Sequence, residues 1–311
     1  MQTTIEVVLP VFALVLCGYV FRRRGMIGAE GVRGLTNFVF YIAIPVLLFH
    51  TVGRNELPEF SDLGIMIAYF GGTFAVMAIA FQLGRAGFGL PLAERAIFSI
   101  GSIYPNGVLL GIPLVFGVFG EDGLLALFML ISFHGMLLLP VPILMIEIAR
   151  QGRGGIATGV SLVRSLAENP VIVGLVAGLA WAGTGWTLPP PVDTFAGMLS
   201  QAAGPCALFA LGATLAGYKV AGNLKESAAM VVFKLFVHPA AVWLIADPIL
   251  GLEPMWTAVA VILAAMPSGL NTFILASKYD IYMARATSAI LVSTVVSMVT
   301  VAVLLAYFAP G

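Results

Sequence analysis

The sequence is poor in charge and in cysteine. Only 10% of its 311 residues are charged, and its net charge is zero, whereas about 25% of the residues of a soluble domain are charged. A neutral chain has no basic field for nucleic acid, so no nucleic-acid partner is expected. The two cysteines, Cys17 and Cys206, lie in apolar sequence without a C-x-x-C spacing. Neither a disulfide framework nor a metal site is therefore indicated.

Two motifs of enzymes are also missing. The sequence contains neither the Walker A pattern G-x-x-x-x-G-K-[ST] nor the nucleophile turn G-x-S-x-G. Three scattered histidines do not specify a catalytic triad. We therefore predict that the protein is not an enzyme and that this chain alone is not driven by ATP.

Long apolar runs are present instead. Hydrophobic residues make up 60% of the chain, and a membrane span needs about 20 of them in succession. Charged clusters divide the sequence into ten such segments, which predicts an all-α polytopic protein of the lipid bilayer. The predicted segments cover residues 5–21, 36–52, 63–84, 95–118, 123–147, 167–184, 194–218, 227–250, 255–276 and 284–308.

The basic residues give the predicted orientation. Of the 15 Lys and Arg residues, 13 lie in the alternate loops 22–35, 85–95, 148–166, 219–226 and 277–285. Basic loops stay in the cytoplasm, so both termini are expected on the outside, which is the periplasm for a bacterial inner membrane. The first segment is followed by Arg22, Arg23 and Arg24 and is expected to be a retained helix rather than a cleaved signal peptide.

Five segments in each half suggest a duplication, because an odd number would turn the second half upside down. Proline pairs recur on that schedule: Pro10 with Pro170, Pro45 with Pro205, and Pro105 with Pro267. We predict two inverted five-helix repeats, residues 1–150 and 151–311. Unrelated proline kinks are the alternative explanation.

Helix breakers cluster deepest in the fourth and ninth segments. These read "YPNGVLLGIP" at 104–113 and "MPSGLNTF" at 266–273, and proline and glycine both oppose helix there. Broken backbone at membrane depth is tolerated only inside protein or beside a watery cavity, and paired broken helices mark the substrate site of inverted-repeat transporters. Two helix starts facing each other would attract an anion such as a carboxylate.

The sequence resembles the auxin efflux carrier family, which includes plant auxin exporters and bacterial malonate-type permeases. The stretches that carry the resemblance are "PNGVLLGIPL" at 105–114, "AMPSGLNTFILASKYD" at 265–280, "ENP" at 168–170 and "FKLFVHP" at 233–239. The resemblance implies the architecture of bile-acid symporters and sodium/proton antiporters, in which two broken helices cross. It implies a scaffold of helices 1, 2, 6 and 7 that also forms a homodimer, and a moving bundle of helices 3–5 and 8–10.

The resemblance also implies site residues. The family's crossing Pro-Asn corresponds to Pro105 and Asn106, and its second crossing proline to Pro267. Plant members contact the carboxylate from an Asn-Pro-Asn motif that reads Asn169, Pro170 and Val171 here. Because the second amide is missing, auxin itself is not the expected substrate.

The candidate substrate-binding residues surround the two breaks. They are Pro105, Asn106, Gly107, Pro267, Ser268, Asn271 and Thr272. Asn106 has two interpretations, which can coexist: its amide donates to a carboxylate, or its side chain caps the following half-helix. Ser268, Asn271 and Thr272 face the substrate or a cation, or they satisfy freed backbone groups.

Supporting roles are expected for Lys234, His238, Asn169 and Asn37. A lysine in the middle of a span costs about 2.5–3.5 kcal/mol, so Lys234 needs a function or a buried partner. It balances the substrate's charge, replaces a sodium ion, or pairs with carbonyls at the crossing. His238, four residues later on the same helix face, is interpreted as a packed and hydrogen-bonded histidine, and so is His134. Asn37 lines the scaffold side of the cavity, or serves helix packing.

The sequence therefore predicts a secondary carrier of small organic anions, such as dicarboxylates or auxin-like acids, that works by elevator-type alternating access. An anion channel and a sodium-coupled symporter of another organic solute are the alternatives. No cofactor is expected, and sodium coupling is left open.

Overall fold

The structure, a computed structural model, describes residues 2–54, 63–151, 170–218 and 221–308. These residues form helices, apart from short turns and one pair of extended segments at 104–106 and 266–269. The first half contains α1 (Gln2–Arg23), α2 (Ala29–Arg54), α3 (Leu63–Ala86), α4 (Leu92–Gly101), α5 (Gly107–Gly111 continuing as Ile112–Leu138) and α6 (Pro140–Gln151). The second half contains α7 (Pro170–Ala182), α8 (Pro190–Leu215), α9 (Leu224–Ile249), α10 (Pro254–Ala265), α11 (Leu270–Tyr279) and α12 (Met283–Phe308).

Apolar helices of membrane-spanning length recur along the described chain. Within the described ranges, six stretches are long and apolar enough to cross a bilayer: α2, α3, the run Gly107–Arg150, α8, α9 and α12. Two shorter apolar helices, α7 and α10, add to them. The prediction of a polytopic helical membrane protein is confirmed to this extent, whereas the count of ten spans and the inverted repeat stay predictions.

The long run that contains α5 is folded into a hairpin at Gly120. This residue has φ 65° and ψ −150° inside an otherwise helical stretch, a conformation that glycine adopts without a Cβ clash. A Cβ built on Gly107 would lie 3.1 Å from Ile131 Cγ2, although a straight helix would hold these residues about 36 Å apart. The two arms of α5 are therefore antiparallel, and the turn lies in the predicted loop between the fourth and fifth segments.

Three prolines are accommodated by wide π-helical turns. The turns Val39–Ala43, Gly107–Gly111 and Phe233–Val237 each end two residues before a proline, namely Pro45, Pro113 and Pro239. Proline lacks an N–H group and clashes with the carbonyl four residues earlier in an α-helix. A π turn moves that carbonyl away at little cost to the helix. These prolines therefore leave their helices continuous.

Glycines allow two helix pairs to pack closely, α1 with α8 and α7 with α2. A Cβ on Gly18 would lie 2.0 Å from the carbonyl oxygen of Phe209, and a Cβ on Gly178 would lie 3.2 Å from Phe49 Cα. Close backbone approach at small residues is typical of helix packing in membranes. The two glycines are 160 residues apart, and so are the two phenylalanines. This is the relation that a duplicated pair of helices would produce.

The most enclosed element is α10. Every residue from Thr257 to Ala265 is buried, and the helix packs against α3, α5, α9 and α12. Its last turn ends directly at the second extended segment. The centre of the core therefore lies beside the point where the two interrupted helices meet.

Candidate functional site

The two extended segments pair with each other as a short antiparallel bridge. The Asn106 N–H group donates to the Pro267 carbonyl at 2.8 Å, and the Gly269 N–H group donates to the Tyr104 carbonyl at 2.9 Å. These bonds satisfy backbone groups that the interruptions would otherwise leave unpaired inside the membrane. The ends of α4 and α10 and the starts of α5 and α11 thus lie together at one crossing.

Gly269 and Ser268 make this close approach possible. A Cβ on Gly269 would lie 2.7 Å from the Pro105 carbonyl oxygen, so a larger residue would push the segments apart. The buried Ser268 hydroxyl donates to the Gly101 carbonyl at the end of α4 (2.8 Å), and the Ser268 N–H group donates to the Ser293 hydroxyl (3.0 Å). Ser268 therefore completes the backbone hydrogen bonding of the crossing.

Asn106 stands at the start of α5. Its carbonyl accepts from the N–H groups of Leu110 and Gly111 at 3.3 and 3.2 Å, which forms the opening π turn. Its side chain makes no capping bond. Asn106 is only 5% exposed, and its Nδ2 group has no hydrogen-bond partner within the described structure. A buried amide that stays unpaired costs about 1–3 kcal/mol, so this side chain is a candidate for contact with a ligand.

A cavity of about 330 Å³ opens at the start of α5, and we call it the crossing cavity. None of the described residues that line it is Asp, Glu, Lys or Arg. Its polar groups come from α2, the first extended segment, α5 and α11. The lining residues are Thr36, Asn37, Phe40, Tyr41, Tyr104, Pro105, Asn106, Gly107, Val108, Leu109, Ile131, His134, Gly269, Leu270, Asn271 and Ile274.

Five of the residues selected from the sequence line this cavity: Asn37, Pro105, Asn106, Gly107 and Asn271. The first N–H groups of α5 have no preceding helical turn to donate to, and they lie beside the Asn106 side chain. The Asn271 Nδ2 group is already engaged, because it donates to the Tyr104 hydroxyl at 2.9 Å. Amide donors and a helix start therefore meet in a space without ionised side chains, which is an arrangement suited to an anion.

The other selected residues at the breaks lie outside this cavity lining. The Pro267 carbonyl accepts from Asn106, and Ser268 is wholly buried. Thr272 is also wholly buried. Its Cγ2 atom lies against Gly101 at the end of α4, where a Cβ added to the glycine would be only 3.0 Å from it. Asn169 lies outside the described residues.

Lys234 and His238 lie behind the crossing, in α9, and both are wholly buried. The Lys234 amine donates to the Ala264 carbonyl, in the last turn of α10, where free carbonyls carry partial negative charge. The Thr73 hydroxyl donates its one hydrogen to the Tyr69 carbonyl at 2.6 Å. His238 Nε2 lies 2.8 Å from the Thr73 hydroxyl oxygen and is therefore the donor to it. His238 Nδ1 then accepts from Lys234 at 3.2 Å. This chain of bonds links α3, α9 and α10.

Tyr104 and His134 also line the crossing cavity, and neither is selected as a site candidate from the sequence. Tyr104 directly precedes Pro105, and its place in the first break was the available signal. His134 gave no local signal, because its position depends on the hairpin at Gly120. Both residues are buried at less than a tenth exposure, and their rings lie 5.7 Å apart between centroids.

A second cavity, of about 410 Å³, lies along the C-terminal half of α2. His50 and Arg54 of α2 line it, facing residues of α8 and the first arm of α5. Asp193 of α8 bonds His50 Nε2 at 2.9 Å and lies 3.6 Å from Arg54 Nε. The first arm of α5 and the helix α2 are thus walls of both cavities.

Comparison with known proteins identifies the family. A family model described as "Membrane transport protein" matches residues 3–305. The chain belongs to this family. The relatives include a "Putative malonate transporter" of Rhizobium meliloti (strain 1021), which is 29% identical over 299 residues that cover 96% of this chain and 93% of the relative.

Two further relatives show the breadth of the family. An "Uncharacterized transporter" of Methanothermobacter thermautotrophicus is 27% identical over 298 residues, 95% of each chain. "Auxin efflux carrier component 8" of Arabidopsis thaliana is 21% identical over 335 residues, 89% of this chain and 90% of the relative. The resemblance to auxin efflux carriers is thereby confirmed, and with it the identification of the chain as a multi-pass membrane transporter.

Proposed function

We propose that this protein is a secondary carrier that moves small carboxylates across the membrane. The observation that carries the proposal is the Asn106 side chain, which lines the crossing cavity beside the start of α5 with an amide that has no partner in the described structure. A carboxylate would accept from this amide and from the first N–H groups of α5. The positive end of the helix dipole would favour its charge.

The size and lining of the crossing cavity support a small substrate. Its volume of about 330 Å³ lies at the lower end of ligand pockets. Apolar side chains such as Phe40, Ile131 and Ile274 form much of the wall. One relative is named for malonate and another for auxin, and both compounds are organic acids with a carboxylate. We therefore choose malonate as the first substrate to test.

In this proposal Lys234 supports the site from behind the crossing. It does not line the crossing cavity, and its bond to Ala264 ties it to the half-helix that ends at the second break. Its role is to balance the substrate's charge from behind the crossing without touching the substrate.

Alternating access is the proposed mechanism. The crossing cavity contacts the N-terminal half of α2, and the second cavity contacts the C-terminal half. From the distribution of basic residues, we expect the N-terminal half of α2 on the cytoplasmic side. Sliding of α5 along α2 would carry Asn106 from one side to the other. In this scheme α1, α2, α7 and α8 form the scaffold, which also dimerises, and the remaining helices move. Both termini face the periplasm.

Reconstitution into liposomes tests whether the protein is a carrier. Wild-type protein is expected to exchange radiolabelled malonate for unlabelled malonate on the other side, with an uptake rate that saturates. Carriers turn over far more slowly than channels conduct, so no single-channel current is expected in planar bilayers with malonate as the anion. Resolved channel openings would instead favour the anion channel, and absence of any carboxylate flux would contradict the proposal.

A further inference from the structure

His134 is a buried histidine that the proposed mechanism has not used. It lies in the second arm of α5, is 4% exposed and lines the crossing cavity. Its Nε2 atom has no hydrogen-bond partner within the described residues. Buried ring nitrogens are normally paired, as both nitrogens of His238 are here. The two histidines, which look alike in the sequence, thus differ in what they leave available.

The hairpin of α5 brings His134 to the substrate side of the crossing. Ile131 contacts Gly107, the residue after Asn106, and His134 follows three positions later on the same helix face. Its ring packs against the ring of Tyr104, two residues before Asn106, with centroids 5.7 Å apart. His134 therefore lies within about one helical turn of the amides that begin α5.

Aromatic side chains hold the imidazole ring without offering it a hydrogen bond. Tyr69 stacks on it with centroids 5.3 Å apart and an interplanar angle of 19°, and Phe70 meets it edge-on at 5.9 Å. Rings fix the orientation of a side chain through packing. The ring is therefore positioned by α3 and by Tyr104, while Nε2 stays free of partners in the described structure.

We propose that His134 is a substrate-contacting residue that donates a hydrogen bond from Nε2 to the bound carboxylate. Asn106 and the helix start serve one part of the anion, and His134 serves another. This inference rests on the proposed function, since it assigns a further contact to the same cavity. Because Nε2–H is a donor, His134 favours a carboxylate over the corresponding amide. A carboxylate has two acceptor oxygens, and in the amide one of them is replaced by an NH₂ group, which is a donor.

Two substitutions separate hydrogen bonding from packing. His134→Phe keeps a ring against Tyr69 and removes the donor, whereas His134→Gln places an amide nitrogen close to the position of Nε2. Malonate affinity would be measured by calorimetry on detergent-purified protein, with malonamide as the neutral comparison. We expect His134→Phe to weaken malonate binding roughly 10- to 100-fold, the range for a hydrogen bond to a charged group, and His134→Gln to stay within about threefold of wild type.

Controls distinguish the possible failures. Melting temperatures without ligand are expected to agree between the two variants, which would show that packing is kept. Equal malonate affinity for His134→Phe and wild type would overturn the inference, and so would equal weakening by both substitutions. If wild-type protein binds no carboxylate, the proposed function fails and this inference with it. If Asn106→Ala loses malonate binding and His134→Phe does not, the proposed function stands and only the role assigned to His134 is wrong.

A spectroscopic measurement covers the case in which His134→Phe does not fold. The chain has three histidines, so ¹⁵N-histidine labelling gives a small set of ring signals. The signal that disappears in His134→Gln belongs to His134. Addition of malonate is expected to shift the Nε2 resonance of that ring in wild-type protein. An unchanged resonance at saturating malonate would overturn the inference.

Discussion

The first interruption, residues 102–106, follows α4 and ends at Asn106. The Asn106 side chain lines the crossing cavity, and its amide has no hydrogen-bond partner among the described residues. At 266–269 the chain leaves α10 through Ser268, whose hydroxyl is wholly buried and already bonded to Gly101. The backbones of the two interruptions pair with each other, since each donates one N–H group to a carbonyl of the other. Their side chains have different tasks.

In the proposed function, the two interruptions divide two roles: the first contacts the ligand, and the second holds the crossing together. In the second interruption, the Ser268 hydroxyl is bonded to a backbone carbonyl of the crossing. In the first, the Asn106 amide is left for a ligand. A site with free amides on both sides would leave more buried polar groups unpaired, at about 1–3 kcal/mol each. One functional half and one supporting half thus limit the cost of building the site.

The largest expected effect comes from replacing each of the two side chains, Asn106 and Ser268, by alanine in turn. Asn106→Ala removes a donor to the substrate and relieves an unpaired amide, so malonate exchange is expected to fall at least about 100-fold while the melting temperature stays equal or rises. Ser268→Ala leaves the Gly101 carbonyl without its described donor, so the melting temperature is expected to fall. Exchange per folded molecule would stay within about fivefold of wild type.

Exchange assays in liposomes and thermal unfolding in detergent provide the two measurements for this pair. The comparison fails if Ser268→Ala abolishes exchange in folded protein, because the second interruption would then contact the substrate directly. It fails equally if Asn106→Ala exchanges malonate at the wild-type rate.

A smaller effect is expected from a matched pair of glycine substitutions. Gly269→Ala places a methyl group 2.7 Å from the Pro105 carbonyl oxygen, whereas the nearest neighbour of the same methyl group at Gly111 is 3.8 Å away. Gly269→Ala is expected to destabilise the protein by about 1–3 kcal/mol, the usual cost of overpacking. Gly111→Ala is expected to be neutral or to stabilise slightly, because alanine favours helix.

Thermal unfolding with and without malonate measures this pair. Gly269→Ala is expected to lose part of the stabilisation that malonate gives to wild-type protein, since the distorted bridge carries Asn106. Equal unfolding temperatures for Gly269→Ala and Gly111→Ala would show that close contact of the two segments is not required.

The sequence was informative about backbone and less so about side-chain roles. Proline, glycine and asparagine near residues 105 and 267 predicted where helices stop, because these residues act on their own backbone. Pro113 belongs to the same cluster, yet its helix continues through a π turn. Local composition does not distinguish a proline that ends a helix from one that widens it.

Side-chain roles depended on contacts between distant segments. The Ser268 hydroxyl bonds to the Gly101 carbonyl, which belongs to another helix, rather than facing the cavity. His134 and His238 were given the same interpretation from the sequence, and the hairpin at Gly120 and the partner Thr73 separate them. Such contacts follow from the packing of whole helices and carry no local pattern.

A carboxylate is predicted to bind where Asn106 meets the start of α5. This prediction is tested by a density map of the wild-type protein at saturating malonate, compared with a map of Asn106→Ala under the same conditions. We predict density for the ligand within hydrogen-bond distance of Asn106 and the first N–H groups of α5 in the wild type, and none there in the variant. Ligand density confined to the second cavity beside Arg54, or the same density at the crossing in both maps, would contradict the claim.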